Sequence, residues 1–113
     1  MSDVVDADGK SLLAHHSRPY RILPQGIARW VRGALREAIV NGTGKAAAGL
    51  SEPVWGKTGT SNRSREAWFA GSDGQRMVTV LVGYDDRLPM HGATGGNTAV
   101  PFFVDFVRMS RTE

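Results

Sequence analysis

The sequence contains no cysteine. Disulfide bonds and thiolate chemistry are therefore excluded, although this absence fits an oxidising compartment as well as a reducing one. Long apolar runs are also missing, since no stretch approaches the roughly 18 residues that a helix needs to cross a bilayer. Residues 1–6 lack the basic and apolar parts of a signal peptide, so we expect no targeting signal in this chain.

Charge of one sign does not dominate the sequence. There are 14 Lys and Arg against 11 Asp and Glu, and the formal net charge is +3. The basic residues are scattered, which favours a solvated basic surface over a nucleic-acid site, and we expect no nucleic-acid partner. With 113 residues, 41% of them hydrophobic, the chain can form one modest core but not two domains.

The hydrophobic pattern predicts an α+β fold, an antiparallel sheet flanked by helices. A turn signal at residues 6–9 predicts a hairpin. Pro24 opens a segment with apolar residues at three-to-four spacing, which predicts a helix that buries Trp30 in the core. Residues 43–52 are expected to form a linking loop. The predicted elements are a hairpin at 3–14, a helix at 24–41, strands at 54–60, 66–71 and 77–84, and a closing helix at 98–109.

Three strands make a small sheet. A turn signal at residues 72–75 joins the second and third strands, which predicts that they pair antiparallel. Such a sheet leaves an edge strand exposed, and proteins usually cover or pair an exposed edge. The pattern therefore suggests that part of the structure lies outside this chain.

The segment Gly56-Lys57-Thr58-Gly59-Thr60-Ser61 carries the densest chemistry. Gly-Lys-Thr also ends the phosphate-loop pattern, which needs a glycine five residues before Gly56 and a helix that begins at the lysine. Position 51 is Ser51, and the polar run at residues 61–64 does not favour a helix. The phosphate loop is therefore disfavoured.

The alternative interpretation is the Lys-Thr-Gly strand of serine acyl transferases. In a strand, Lys57 and Gly59 share one face, while Thr58 and Thr60 share the other, so some twist is needed to bring Lys57 and both threonines to one ligand. Lys57 supplies a cation for an anionic substrate, the threonines supply hydroxyl donors, and Gly59 lets a substrate backbone lie close. A strand N–H that binds a developing oxyanion contributes roughly 3 kcal/mol. For the tetrapeptide alone, an ordinary strand remains a fair alternative.

The motifs around this strand carry a family resemblance. Val40-Asn41-Gly42-Thr43-Gly44, the Lys57 segment, Ala67-Trp68-Phe69-Ala70-Gly71, Val82-Gly83-Tyr84-Asp85 and Gly92-Ala93-Thr94-Gly95-Gly96 follow one another in this order, after a hairpin around Asp8-Gly9-Lys10. Together they resemble the C-terminal part of the transpeptidase domain of class A, bifunctional penicillin-binding proteins. The segment that begins at Trp68 is most similar to the 1b type.

The resemblance implies a peptidoglycan D,D-transpeptidase with the penicillin-binding protein/serine β-lactamase fold. In that family a serine attacks the D-Ala-D-Ala end of a stem peptide, and β-lactams acylate the same serine. By position, Lys57, Thr58, Gly59 and Thr60 match the substrate-binding strand, and Lys57 and the backbone N–H of Thr60 match catalytic groups. Glu66 stands where the family often has Asp, a mild departure. Trp68 and Phe69 match residues that we expect to be structural, and no cofactor is implied.

The family's nucleophile motifs are absent from the sequence. The residues three before the lysines are Ala7, Gly42 and Val54, so no Ser-x-x-Lys occurs, and no serine has Asn two residues later. We therefore expect the chain to be inactive alone, to be marginally stable, and to need the missing N-terminal part of the transpeptidase domain as its partner. The resemblance places the parent protein at the extracytoplasmic face of the cell membrane.

Two alternatives remain open. The chain is either part of a transpeptidase or a non-catalytic module of the same origin that binds a peptide or a partner protein, and a basic nucleic-acid binder is a distant third. No metal site is expected, because His15 and His16 are adjacent on a predicted strand and point to opposite faces, and His91 lies in a glycine-rich loop.

Overall fold

The computed structural model describes residues 3–14, 20–51 and 53–110. The strands and helices in chain order are β1 (Asp3–Val5), β2 (Ser11–Ala14), α1 (Gln25–Val40), β3 (Trp55–Thr60), β4 (Glu66–Ser72), β5 (Met77–Gly83) and α2 (Val100–Met109). Short 3-10 turns occupy Lys45–Ala47 and Asn62–Ser64, and a π-helical turn occupies Gly95–Ala99.

Strands β1 and β2 form an antiparallel hairpin. Its turn forms because the Asp6 carboxylate accepts hydrogen bonds from the backbone N–H groups of Asp8, at 3.1 Å, and Lys10, at 2.8 Å. Gly9 adopts a φ of 79°, which a residue with a side chain rarely does. Within the described residues, this hairpin is a separate two-stranded sheet.

The main sheet has the strand order β3-β4-β5, and both strand pairs are antiparallel. Lys57 lies opposite Ala70, and Phe69 lies opposite Val80. Because side chains alternate along a strand, Phe69 and its neighbours at every second position line one face and Lys57 lines the other. The predicted antiparallel sheet is confirmed.

Helix α2 covers the Phe69 face of this sheet. Phe69 and Phe103 are fully buried, and their rings meet edge to face with centroids 4.8 Å apart. The buried core also includes Ile39 from α1, Val54 ahead of β3 and Val100 of α2. The largest fully buried apolar side chains of the described residues therefore lie between α2 and one face of the sheet.

The prediction that Trp30 lies in the core is wrong. Its side chain is 86% exposed, and Ile27 and Val31, on the same apolar side of α1, are about half exposed. Only Ile39, in the last turn of the helix, is buried. The spacing identified an apolar face correctly, but α1 packs along the edge strand β3 and no described element lies over the first half of this face.

Two segments also differ from expectation by more than a single boundary residue. Residues 43–52 contain a 3-10 turn whose Ala47 is buried in the core, so this segment is more than a linking loop. The closing helix begins three residues earlier than expected, as the π-helical turn at Gly95. Thr94 caps this turn, because its hydroxyl accepts a hydrogen bond from the Asn97 N–H and the Asn97 side chain accepts one from the Thr94 N–H.

Asp73 ties the β4–β5 turn to α2. Its side chain is almost fully buried, and it accepts hydrogen bonds from the N–H groups of Gln75 and Arg76 and from the Arg76 guanidinium. The same guanidinium donates to Ser110 Oγ at 2.7 Å and lies over the Phe106 ring. Burial by itself raises the pKa of Asp73, but these hydrogen bonds outweigh it and hold the pKa below the ordinary value of 3.8.

We predict that Asp73→Asn destabilises the chain by about 1–3 kcal/mol near neutral pH, because it removes a buried, charge-assisted hydrogen-bond acceptor. The native pKa of Asp73 is lowered, so its contribution is complete above the unfolded value and is lost as the pH falls through the native pKa. The difference in unfolding free energy between wild type and variant, measured by urea titration from pH 7 to pH 2, should therefore shrink below about pH 4. A difference that is constant with pH would contradict this.

Candidate functional site

The cation of Lys57 lies beside the hydroxyl of Thr58 at the edge of β3. Lys57 Nζ donates a hydrogen bond to Thr58 O at 3.0 Å and lies 3.5 Å from Thr58 Oγ1. The two side chains leave opposite faces of the strand, but the lysine side chain is long enough to curl around the edge. Lys57 is exposed and Thr58 is partly buried. The structure thus brings the predicted cation and the first predicted hydroxyl together.

The backbone of β3 presents free polar groups at the same edge. The Ser61 N–H donates to Glu66 O at 3.0 Å, so Ser61 and every second residue before it point their backbone groups towards β4. The N–H groups of Thr58 and Thr60 alternate with these and point away from β4. No described strand pairs with that edge of β3. These N–H groups are therefore available to a ligand that lies along the edge.

The hydroxyls of Thr58 and Thr60 each contact another segment of the chain. Thr58 Oγ1 lies 2.5 Å from Thr43 Oγ1, in the loop that follows α1. Thr60 Oγ1 accepts a hydrogen bond of 3.1 Å from the N–H of Gly95, in the π-helical turn. Because Thr60 accepts at this contact, its own proton stays free to be donated elsewhere.

Gly95 approaches the strands too closely for any side chain. A Cβ atom at this position would lie 2.3 Å from Trp68 O and 2.7 Å from Gly59 O, and both of these atoms belong to the backbone. A Cβ atom at the next residue, Gly96, would lie 2.4 Å from Thr43 O. The two glycines hold the π-helical turn against β3 and β4 and against the loop after α1.

The end of β3 is held by its connection to β4. Ser61 Oγ accepts a hydrogen bond of 2.8 Å from the Glu66 N–H, and the Glu66 carboxylate accepts one of 3.1 Å from the Trp68 indole. Trp68 lies on the Lys57 face directly opposite Gly59 and is 37% exposed. Glu66 therefore orients a tryptophan next to the glycine of the strand.

Lys57 lies in the third position of β3 and not at the start of a helix. This placement agrees with the rejection of a phosphate loop. The contacts of Thr43 and Gly95 with β3 were not predicted from the sequence. A glycine stands next to each of these residues, which indicates a close backbone approach, but nothing in the sequence indicated that the approach is to the hydroxyls of β3.

The described residues contain no group of His, Asp or Glu that could hold a metal ion. His15 and His16 lie outside the described residues, and His91 is exposed. Within the described ranges, neither helix combines the length and the apolar character that crossing a membrane requires.

Similar proteins identify the family of the chain. Penicillin-binding protein 1A of Rickettsia conorii is 39% identical to it over 89 residues, which are 78% of this chain and 11% of that protein. Penicillin-binding protein 1B of Vibrio cholerae is 30% identical over 110 residues, which are 96% of this chain and 14% of that protein. No family model matches the chain.

A solved structure shows the fold. The D,D-transpeptidase domain of a peptidoglycan glycosyltransferase from Eggerthella lenta superposes with a TM-score of 0.62 over 98% of this chain and 27% of that structure, at 24% identity. The fold is thus that of part of a D,D-transpeptidase domain. The chain belongs to the penicillin-binding protein family, as the sequence predicted, and spans about one seventh or less of the length of these 1A and 1B relatives.

We predict that Gly95→Ala displaces the π-helical turn and destabilises the chain by about 1–3 kcal/mol, because the new methyl group meets backbone atoms that cannot move aside. Gly33→Ala is the control, since nothing lies within 4 Å of that position in the middle of α1 and alanine is the better helix former. Thermal unfolding should show a lower Tm for the first variant and an equal or higher Tm for the second. Equal Tm values for Gly95→Ala and wild type would contradict the close approach.

Proposed function

We propose that the chain supplies the substrate strand of a peptidoglycan D,D-transpeptidase and that its nucleophile belongs to residues outside this sequence. The observation that carries the proposal is the arrangement at β3, where the Lys57 cation lies within 3.5 Å of the Thr58 hydroxyl beside an edge that no described strand covers. The relatives named penicillin-binding protein 1A and 1B support the class of reaction.

The charge and hydroxyls of β3 suit the carboxylate of a D-alanyl-D-alanine terminus. Lys57 supplies a positive charge, and Thr58 and Thr60 supply hydroxyl donors within one short stretch of strand. Hydrogen bonds between ionised partners are about twice as strong as those between neutral ones. A peptide that lies antiparallel to β3 would place its terminal carboxylate at these groups and its scissile carbonyl farther along the edge.

The N–H of Thr60 is suited to bind the oxyanion. It points away from β4, towards the edge where the peptide would lie, and its direction is set by the pairing of Ser61 with Glu66. A preorganised N–H of this kind stabilises charge that develops on the carbonyl oxygen in the transition state. Lys57 and the Thr60 N–H are therefore the catalytic groups that we assign to this chain.

The chain contains neither Ser-x-x-Lys nor Ser-x-Asn, so the acyl-accepting serine and its base must come from a partner. We propose that the partner is the remaining part of the transpeptidase domain. The exposed apolar side of α1, with Trp30 at its centre, supports this, because a soluble domain rarely leaves such a surface uncovered. In this assembly the site would act on stem peptides and β-lactams outside the cytoplasm.

The proposal predicts that the isolated chain does not become covalently labelled by a fluorescent penicillin. A chimera in which the chain replaces the matching segment of a 1A relative's transpeptidase domain should become labelled. In that chimera Lys57→Met should slow acylation by about 10²–10³-fold, because the cation that binds the carboxylate is lost. The matched control is Lys45→Met, an exposed lysine in the 3-10 turn after α1 that is not part of β3.

Three outcomes would count against the proposal. Covalent labelling of the isolated chain would show that the nucleophile lies within this sequence. A folded chimera that is never labelled would show that this β3 does not serve a transpeptidase. Equal acylation rates for the Lys57→Met and Lys45→Met chimeras would remove Lys57 from the site.

A second candidate function is a non-catalytic module that binds a partner protein. The exposed apolar side of α1 favours it as well, since this surface would bind a partner whether or not the site is active. The two functions differ at β3: substitution of Lys57 impairs a transpeptidase and leaves a partner-binding module unaffected.

The α1 surface can be tested separately from the chemistry. We predict that Trp30→Glu weakens association with the remaining part of the transpeptidase domain by at least about tenfold, because it places a charge in an apolar interface. The fold of the isolated chain should not change, since Trp30 is exposed. Phe102→Glu, an exposed aromatic on α2, is the control. Isothermal titration of the two parts measures the effect, and equal affinities for both variants would exclude α1 from the interface.

A further inference from the structure

The contact between Thr43 and Thr58 joins segments that are 15 residues apart. Thr43 lies in the loop after α1 and Thr58 in the middle of β3, and their hydroxyl oxygens are 2.5 Å apart. Neither the family comparison nor the proposed chemistry gives Thr43 a role. It is the only hydroxyl group outside β3 that contacts Thr58 among the described hydrogen bonds.

The number of protons at Thr58 limits how this contact can work. A hydroxyl has one proton to donate and two lone pairs that accept. Lys57 Nζ is a donor only, and it lies 3.5 Å from Thr58 Oγ1. If Thr43 donates as well, both lone pairs of Thr58 are occupied and the Thr58 proton must point elsewhere. The opposite direction, with Thr58 donating to Thr43, would leave Thr58 no proton for a substrate.

The backbone of the π-helical turn holds Thr43 at this distance from Thr58. A Cβ at Gly96 would lie 2.4 Å from Thr43 O, so the π-helical turn presses directly on the Thr43 backbone. A Cβ at Gly95 would lie 2.9 Å from the Cβ of Thr58. The same turn therefore lies against both threonines, at the backbone of Thr43 and at the Cβ of Thr58.

We propose that Thr43 is a positioning residue of the substrate strand: its hydroxyl donates to Thr58 Oγ1 and leaves the Thr58 proton free for the carboxylate of the substrate. The inference rests on the proposed function of β3. This role requires a hydroxyl at position 43 and not merely a side chain of the right size. Lys57 and Thr43 act together, because each fills one of the two acceptor positions on Thr58.

The test compares two substitutions in the full chain. Thr43→Val keeps the shape of the side chain and removes the hydroxyl, whereas Thr43→Ser keeps the hydroxyl and removes the methyl group. The first readout needs no ligand: three-bond couplings from the Thr58 methyl carbon to its backbone N and C′ report the side-chain rotamer. We expect one rotamer in wild type and Thr43→Ser, and averaged couplings in Thr43→Val.

The second readout is affinity for a substrate-like carboxylate. N-acetyl-D-alanyl-D-alanine is titrated into ¹⁵N-labelled wild type and both variants, and the shifts of the Thr58 and Thr60 amides give the Kd. We expect Thr43→Val to weaken binding by about three- to tenfold, as for the loss of one neutral hydrogen bond, and Thr43→Ser to stay within about twofold of wild type. Thermal unfolding checks that all three proteins are folded, and Thr43→Ala replaces the valine variant if that variant is not.

The outcomes separate this inference from the proposed function. Unchanged Thr58 couplings in Thr43→Val would overturn the positioning role, whatever the affinities are. Averaged couplings that serine does not restore would show that the methyl group matters and would also overturn it. The expected couplings together with no binding of the dipeptide to any of the proteins would uphold the role of Thr43 and count against the proposed function of β3 in the isolated chain.

Discussion

The backbone of Gly95 lies so close to β3 and β4 that even a methyl group would collide with two carbonyl oxygens. This approach brings the Gly95 N–H to the hydroxyl of Thr60 and starts the turn from which α2 runs back across the sheet. Gly96 extends the same contact to the loop that carries Thr43. One steric constraint, the close approach of the Gly95 and Gly96 backbone, thus affects three features. It aligns β3, sets where α2 begins and holds the residues that contact Thr58 and Thr60.

The apolar surfaces of the two helices differ in how far they are buried. On the side of α2 the core is closed, with Phe69 and Phe103 fully buried and Asp73 linking the β4–β5 turn through Arg76 to the end of the helix. On the side of α1 the apolar face stays open at Trp30. We propose that a further part of a transpeptidase domain covers the open side.

The candidate site at β3 is also uncovered, because no described strand pairs with its outer edge. Lys57, Thr58 and Thr60 form a cation and hydroxyl surface along the edge of β3, and we propose that this surface binds the peptide substrate of a transpeptidase. In this proposal the surface binds and polarises the substrate and does not attack it, because attack requires an activated nucleophile. The exposed edge of β3 and the exposed face of α1 are both consistent with a domain whose other elements lie outside this sequence.

The sequence by itself determined the class of fold, the order of the elements, the family and the strand at Lys57, because turn signals, hydrophobic periods and the order of motifs are local properties of the chain. It also identified the apolar face of α1. Only the tertiary structure decided that Trp30 is exposed, that Thr43 meets Thr58 and that Gly95 meets Thr60, since each depends on which distant segments come together. An apolar period shows which side of a helix favours burial, but whether that side is buried depends on what packs against it.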